Sequence, residues 1–518
     1  MASLFKSTGI IAFSVLISRV FGFIREILFA NFFGASGVTD AFFIAFRIPN
    51  LFRRLVAEGS LTVSFIPVYT DFLVKKGKEE ALLLAQKTLS LLVLFVFIII
   101  LLGEFFTPQI INIFAYGFQH PETINLAINF TRIMFPYLFC ASFVAFSMGV
   151  LNSHGYFFAP AFSTVLLNIS IIFGITFFSL FFQQPIYGVT VAVLIGGLAQ
   201  ILLQIPYLIK SGFKLKISID FQHSGIKKIF KLILPTIFGT AIYQINIIMG
   251  TLLASLLATG SISYLYYSDR LAEIVAGVFI ISIGNVILPE MSKLNAAKDY
   301  KKFKQVYVSS LNFSLFLALP ASLALIAIGL PIITVFFLRG SFTVEDAKLT
   351  YQALFYTSLG ISSLALLRII TPTFFSLKNT KTPVITSTLA FFINISLGFF
   401  LMKTSLKHAG LALANTVAVT VQVFILFLYL QKKIGKINLK KITLSFSKYL
   451  VAAGIMSLSI NHLSKLIDWF NCSLIIKIFF LISLILAGGA IYFIGCWILK
   501  VEEMKILLKK IKAFRDRK

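Results

Sequence analysis

The sequence predicts an all-α polytopic membrane protein of about fourteen transmembrane helices, arranged as two parallel-repeat six-helix lobes plus two extra C-terminal helices. Three observations predict it. Hydrophobic residues make up 58% of the 518-residue chain and charged residues only 13%, against about 45–50% and about 25% in soluble domains. Apolar runs long enough to cross a hydrocarbon core recur from end to end. The chain also matches itself at an offset of about 222 residues.

The runs lie at about 7–30, 41–68, 84–106, 128–151, 158–182, 188–209, 227–254, 262–289, 306–337, 350–376, 383–402, 409–430, 447–463 and 474–498. They are apolar all round rather than alternating with period two, which excludes a strand barrel. A water-soluble enzyme is excluded by the same composition. The N-terminal run carries Arg19 and Arg25 and no small-residue cleavage site follows it, so it reads as a span and not a cleaved signal. Cys140, Cys472 and Cys496 are scattered in or beside apolar runs, which gives neither a disulfide framework nor a thiolate metal site.

The net charge of +27 has a definite address. Lys75, Lys76 and Lys78 follow the second run; Lys210, Lys214 and Lys216 follow the sixth. The lysine-rich stretches 293–304, 378–381, 432–441 and 500–518 also follow even-numbered runs. Odd-numbered runs are followed only by Arg339, Lys348, Lys403, Lys407 and Lys465. Positive loops stay in the cytoplasm, so both termini are expected there, and the basic balance needs no nucleic acid to explain it.

Gly188, Gln200, Tyr207 and Leu208 recur as Gly410, Gln422, Tyr429 and Leu430, and Pro67 as Pro289. Pro108, Gly117 and Pro160 recur one residue further on, as Pro331, Gly340 and Pro383. Six runs separate the copies, so both cross the membrane in the same sense, a repeat found in secondary transporters. The expected divisions are an N-terminal lobe at 1–209, a cytoplasmic linker at 210–226 and a C-terminal lobe at 227–431. The extra helix pair follows at 432–499 and a basic tail at 500–518. In that tail Val501, Met504, Leu508, Ile511 and Phe514 fall at helical spacing, which suits either a surface helix on anionic lipid or a solvated end.

Ionisable residues inside apolar runs mark function, because an arginine at a helix centre costs about 2.5–3.5 kcal/mol on insertion scales. Arg19, Arg25 and Glu26 lie in the first run, with Asp40, Arg47, Arg53, Arg54 and Glu58 at or in the second. Asp269, Arg270 and Glu273 lie in the eighth, and Arg368 in the tenth. Arg19 and Arg25 project about 120° apart on one helix; Asp269 and Glu273 share a face with Arg270 beside them. Pro49 and Asn50 are expected to interrupt the second run with a kink. Arg47, Arg54, Glu104 and Arg132 lie near run ends or opposite charges and read first as snorkelling or structural ion pairs. The excess of arginine favours an anionic cargo, since guanidinium suits phosphate. There is no G-x-x-x-x-G-K-[ST] motif, the five histidines are isolated, and no catalytic set stands out. Transport is favoured over catalysis, with no cofactor, metal or catalytic residue expected.

Three segments carry a family resemblance: Ser18-Arg19-Val20-Phe21-Gly22-Phe23-Ile24-Arg25, Thr39-Asp40-Ala41-Phe42-Phe43, and Pro49-Asn50-Leu51-Phe52-Arg53-Arg54-Leu55-Val56-Ala57-Glu58-Gly59. With Tyr266-Tyr267-Ser268-Asp269-Arg270-Leu271 and Lys381-Thr382-Pro383, the chain resembles the MurJ/MviN lipid II flippases. These belong to the multidrug/oligosaccharidyl-lipid/polysaccharide exporter superfamily. The resemblance implies flipping of the undecaprenyl-pyrophosphate-linked peptidoglycan precursor to the outer leaflet of the bacterial inner membrane by alternating access. By motif position Arg19, Arg25, Asp40, Arg53 and Arg270 would bind substrate. Glu26, Asn50, Arg54, Glu58, Asp269, Glu273 and Arg368 would support them, and the extra helix pair would hold the lipid tail. Lipid II and the membrane are the implied partners, with other cell-wall synthesis proteins as candidates, and a monomer is expected. Glu26 stands where the family often has Asp. The seventh, eleventh and twelfth runs contain no acid, and Asn246, Asn394 and Thr416 offer only neutral oxygens. Sodium coupling is therefore not expected, and membrane potential or protons stay open. A flippase for another polyprenyl-pyrophosphate glycan is the alternative reading, and a membrane-embedded transferase a more distant one.

Overall fold

The structure is a computed structural model that describes residues 2–55, 61–435, 437 and 439–505. Within these it holds eighteen α-helices and no strand. In the first half they are α1 (Ala2–Phe33), α2 (Gly37–Phe52), α3 (Thr62–Lys75), α4 (Lys78–Phe105), α5 (Thr107–Phe114), α6 (Pro121–Met134), α7 (Tyr137–Ser153), α8 (Phe158–Thr176) and α9 (Ile186–Lys210). In the second they are α10 (Ser224–Ser255), α11 (Ser261–Ala296), α12 (Tyr300–Phe336), α13 (Val344–Leu359), α14 (Ile361–Ser376), α15 (Lys381–Leu401), α16 (His408–Ile434), α17 (Leu439–Ser464) and α18 (Leu474–Ile498).

Among the described residues every apolar run falls on one helix or on two: α2 and α3, α6 and α7, and α13 and α14. Among the described residues nine helical stretches are long and apolar enough to cross a membrane, or ten if the bent pair α13–α14 is one span. Helices α1, α10 and α11 are 32, 32 and 36 residues long. Their inclusion in a count of fourteen, like that of α2 with α3, rests on the sequence.

The chain divides into two compact units, 1–263 and 264–518. In the first, α8 packs between α1 and α9, α2 lies on α6, and α7 is flanked by α9 and α4. Helix α10 packs on α3 and α5, so the helix that opens the second sequence repeat is built into this unit. Gly117 makes one such approach possible, because a Cβ there would sit 2.3 Å from the Ser255 carbonyl oxygen.

In the second unit α12 is the central post, packed against α13, α14, α17 and α18. Phe316, Tyr449, Met456, Leu481 and Tyr492 fill the contact with α17 and α18, and Tyr492 donates to the Phe316 carbonyl at 2.6 Å. The first apolar residues of the basic tail, Val501 and Met504, join this core. Leu508, Ile511 and Phe514 lie outside the described residues.

Two helix breaks here satisfy each other. Helix α12 leaves helical geometry at Ile328 (φ −122°, ψ 19°), three residues before Pro331, which lacks a donor. Tyr351 of α13 donates to the Ile326 carbonyl at 2.6 Å. Helix α13 ends at the bend before Gly360, where Ser322 of α12 donates to the Ser358 carbonyl at 2.5 Å and Thr416 of α16 to the Tyr356 carbonyl at 2.8 Å. An unpaired carbonyl costs several kcal/mol in hydrocarbon, so each kinked helix supplies the hydroxyl its neighbour lacks. Tyr351→Phe and Ser322→Ala should each lower stability by about 1–3 kcal/mol, read as unfolding of the purified protein in detergent.

Candidate functional site

Helix α1 carries the first charges. Arg25 forms an ion pair with Glu26 through one nitrogen, and donates through the other to the Asn168 side-chain oxygen at 3.0 Å. Asn168, on α8, donates in turn to the Ser18 carbonyl at 3.0 Å. Glu26 is 3% exposed, so the pair is a nearly neutral unit held by a third polar group, as a charge out of water requires. Arg19 lies under two turns away and is partly exposed. Among the described residues no hydrogen bond or ion pair engages it.

Helix α2 is capped by Ser36, which accepts from Thr39 N–H, and Asp40 follows in its first turn. The Asp40 carboxylate is buried, yet both oxygens are engaged. One accepts from Gly260 N–H at 2.7 Å; the other accepts from Ser263 N–H at 2.9 Å and from the Ser263 hydroxyl at 2.5 Å. These donors form the start of α11. A helix N-terminus leaves its first N–H groups unpaired and carries partial positive charge, so a carboxylate there answers both. Gly260 reaches the position with φ +91°, in the left-handed region that favours glycine. Arg47, two turns on, donates to Thr251 of α10 at 2.5 Å. A cavity of about 290 Å³ opens beside Asp40, lined also by Gly117, His120, Thr123, Ser255 and Thr259.

The expected kink at Pro49 is placed differently. Helix α2 continues through Pro49 to Phe52, with Asn50 donating its side-chain amide to the Phe46 carbonyl at 2.7 Å. The ladder then widens to a π-turn over Arg53, Arg54 and Leu55. The missing proline donor is accommodated within the helix, and the extra residue of a π-turn absorbs the strain downstream. Arg53 is half-buried and Arg54 exposed, and Glu58 lies outside the described residues.

In the second unit Arg270 forms an ion pair with Glu273 at 2.6 Å and lies 4.9 Å over the Tyr266 ring. Asp269 is exposed beside it. Arg368, on α14, is exposed and has no polar partner among the described residues. Thus Arg25 with Glu26 and Arg270 with Glu273 are brought together, while Asp40 is committed to backbone and hydroxyl donors. Asn168, Thr251, Ser263 and Tyr266 were not read from the sequence as partners. Only Asn168, a lone amide in an apolar run, carried a signal.

Comparison with known proteins converges. The chain matches the family model described as lipid II flippase MurJ over residues 29–480. It is 35% identical over 503 residues to a probable lipid II flippase of Buchnera aphidicola from Schizaphis graminum, covering 96% of this chain and 98% of that one. A probable lipid II flippase of Vibrio cholerae is 33% identical over 522 residues, covering 98% of each. A solved lipid II flippase in an inward closed conformation superposes with a TM-score of 0.80 at 30% identity, covering 94% of this chain and 98% of that one. A multidrug resistance transporter of the MATE family shares the fold, with a TM-score of 0.68 at 14% identity over 80% of this chain and 94% of its own.

The role of Asp40 at the start of α11 is open to measurement. Asp40→Ala leaves the Gly260 and Ser263 N–H groups unmatched and should cost about 1.5–3 kcal/mol for each charged hydrogen bond lost. Asp40→Asn keeps one acceptor and should cost less, so unfolding in detergent should rank wild type above Asn and Asn above Ala.

Proposed function

The chain belongs to the lipid II flippase family, and from that membership we propose that it moves lipid II from the inner to the outer leaflet by alternating access. It is a multi-pass membrane transporter and not an enzyme. Lipid II is its substrate, which ties it to peptidoglycan synthesis.

Arg19 is the observation that carries the binding reading. It is a guanidinium on an apolar helix with no counter-charge among the described residues, beside an Arg25 already neutralised by Glu26. A fixed positive charge in such a place is costly until an anion answers it, and a pyrophosphate accepts the paired donors of a guanidinium. Arg270 supports the same reading, because its pair with Glu273 is partly exposed and can exchange the carboxylate for a phosphate oxygen. Arg53, in its π-turn, completes the set, with Glu26, Asn50, Arg54, Glu58, Asp269, Glu273 and Arg368 as supports.

Asp40 takes a different part in this reading: it latches the start of α2 to the start of α11, and its release accompanies one half of the cycle. The helices α17 and α18, fixed to α12 through Tyr492 and Phe316, would offer the lipid tail a groove. The six-helix lobes at 1–209 and 227–431 are the moving bodies of the proposal. The lysine-rich loops support a reading with both termini in the cytoplasm.

The test is rescue of a bacterium depleted of its own lipid II flippase, at matched membrane levels. Wild type should restore growth, whereas Arg19→Ala, Arg25→Ala and Arg270→Ala should not. Growth with all three variants would keep the flippase and discard this account of its charges. A reporter fused to either terminus should report the cytoplasmic side; a periplasmic signal from either would overturn the orientation.

A further inference from the structure

The segment joining α9 to α10, residues 211–223, runs along α4 without regular secondary structure. Three polar contacts hold it there. The Gln86 side chain donates to the Lys214 carbonyl at 2.9 Å, Ser218 N–H donates to the Ser90 hydroxyl at 2.8 Å, and Lys87 pairs with Asp220 at 2.8 Å. Phe213 and Phe221 pin its two ends, against Phe146 and Phe95 respectively.

Between these ties the sequence alternates. Leu215, Ile217, Ile219 and Phe221 all face outward, with Leu215 at 76% and Ile217 at 83% exposure. An apolar row of this kind on a water-facing loop would be unfavourable in proportion to its area. Its depth along α4 says what covers it. From Thr88 to Phe105 the only charge on α4 is Glu104, so Lys87 marks the edge of the apolar part. Ser90 and Phe95, which hold Ser218 and Phe221, lie beyond that edge. Irregular backbone cannot sit in the hydrocarbon, because its N–H and C=O groups need partners. It can lie at headgroup depth, with apolar side chains turned toward the acyl chains and charged ones toward water.

The charges complete the match. Lys210, Lys214 and Lys216 flank the apolar row, and Lys227, Lys228 and Lys231 follow at the start of α10. The only acid in the segment, Asp220, is held by Lys87. Long lysine stems lie along apolar surface while their ammonium groups reach phosphates, and each is favoured by a negatively charged leaflet.

We propose that residues 211–223 form an interfacial strap that inserts Leu215, Ile217, Ile219 and Phe221 at headgroup depth of an anionic phospholipid leaflet, with Lys214 and Lys216 bound to its phosphates. The strap joins the two sequence repeats, so the lipid surface becomes a third body to which their connection is tied. The inference needs only the membrane location of the chain and stands apart from its cargo.

The test places a nitroxide label at Ile217→Cys or Ile219→Cys in the full-length protein, with the native cysteines replaced. The protein is held in nanodiscs of phosphatidylcholine alone or mixed with phosphatidylglycerol. Collisions with oxygen, which partitions into lipid, should exceed those with a water-soluble nickel chelate at both positions, and by a larger factor when phosphatidylglycerol is present. That phosphatidylglycerol-dependent gain should fall by about fivefold for each lysine removed in Lys214→Gln and Lys216→Gln. Chelate collisions dominating in both discs would overturn the proposal, leaving a water-facing row available to a protein partner. Equal immersion in both discs would also overturn it, leaving an apolar anchor without headgroup preference.

Discussion

A single carboxylate fixes how α2 meets the start of α11. The first N–H groups of a helix have no partner within it, and Asp40 supplies the acceptors. Its partner Ser263 lies 223 residues away, so the acid of one helix answers the N-terminus of another that is far along the chain.

Arg47 and Arg270 are engaged in different ways. Arg47 is consumed in a bond to Thr251 that ties α2 to α10. Arg270 keeps a partly exposed pair with Glu273 and a ring beneath it. The charge pattern in α1 follows similar logic: Arg25 is neutralised locally by Glu26 and braced by Asn168, while Arg19 is not. An excess of arginine counted along the sequence overstates the positive field, because much of it is cancelled by neighbours.

Much of the fold was legible because membrane helices are written in long, unambiguous runs. Each run coincides with a helix or a pair of helices, although the interruption between α13 and α14 near Gly360 was not read from the sequence. The π-turn after α2 was not legible, since proline announces a lost donor but not where the helix will absorb it. Asp40, Arg25 and Arg270 were legible as residues that must have partners. The partners of Asp40 were not, because Gly260 and Ser263 are ordinary in composition and distant in sequence. The inclusion of α10 in the first unit was equally hidden: a self-match reports ancestry, whereas packing is decided by contacts such as the approach of Gly117 to Ser255.

A transporter that bends its helices in a membrane must do so without stranding backbone groups, and the α12–α13 pair shows one physical solution. The break at Ile328 exposes a carbonyl that Tyr351 takes, and the bend before Gly360 exposes carbonyls that Ser322 and Thr416 take. Because the hydroxyls come from neighbouring helices, each bend is stable only while its neighbour stays in place. The two kinks are thus coupled, and straightening one would strand the donor that serves the other. Such a pair resists gradual deformation and favours a small number of discrete geometries.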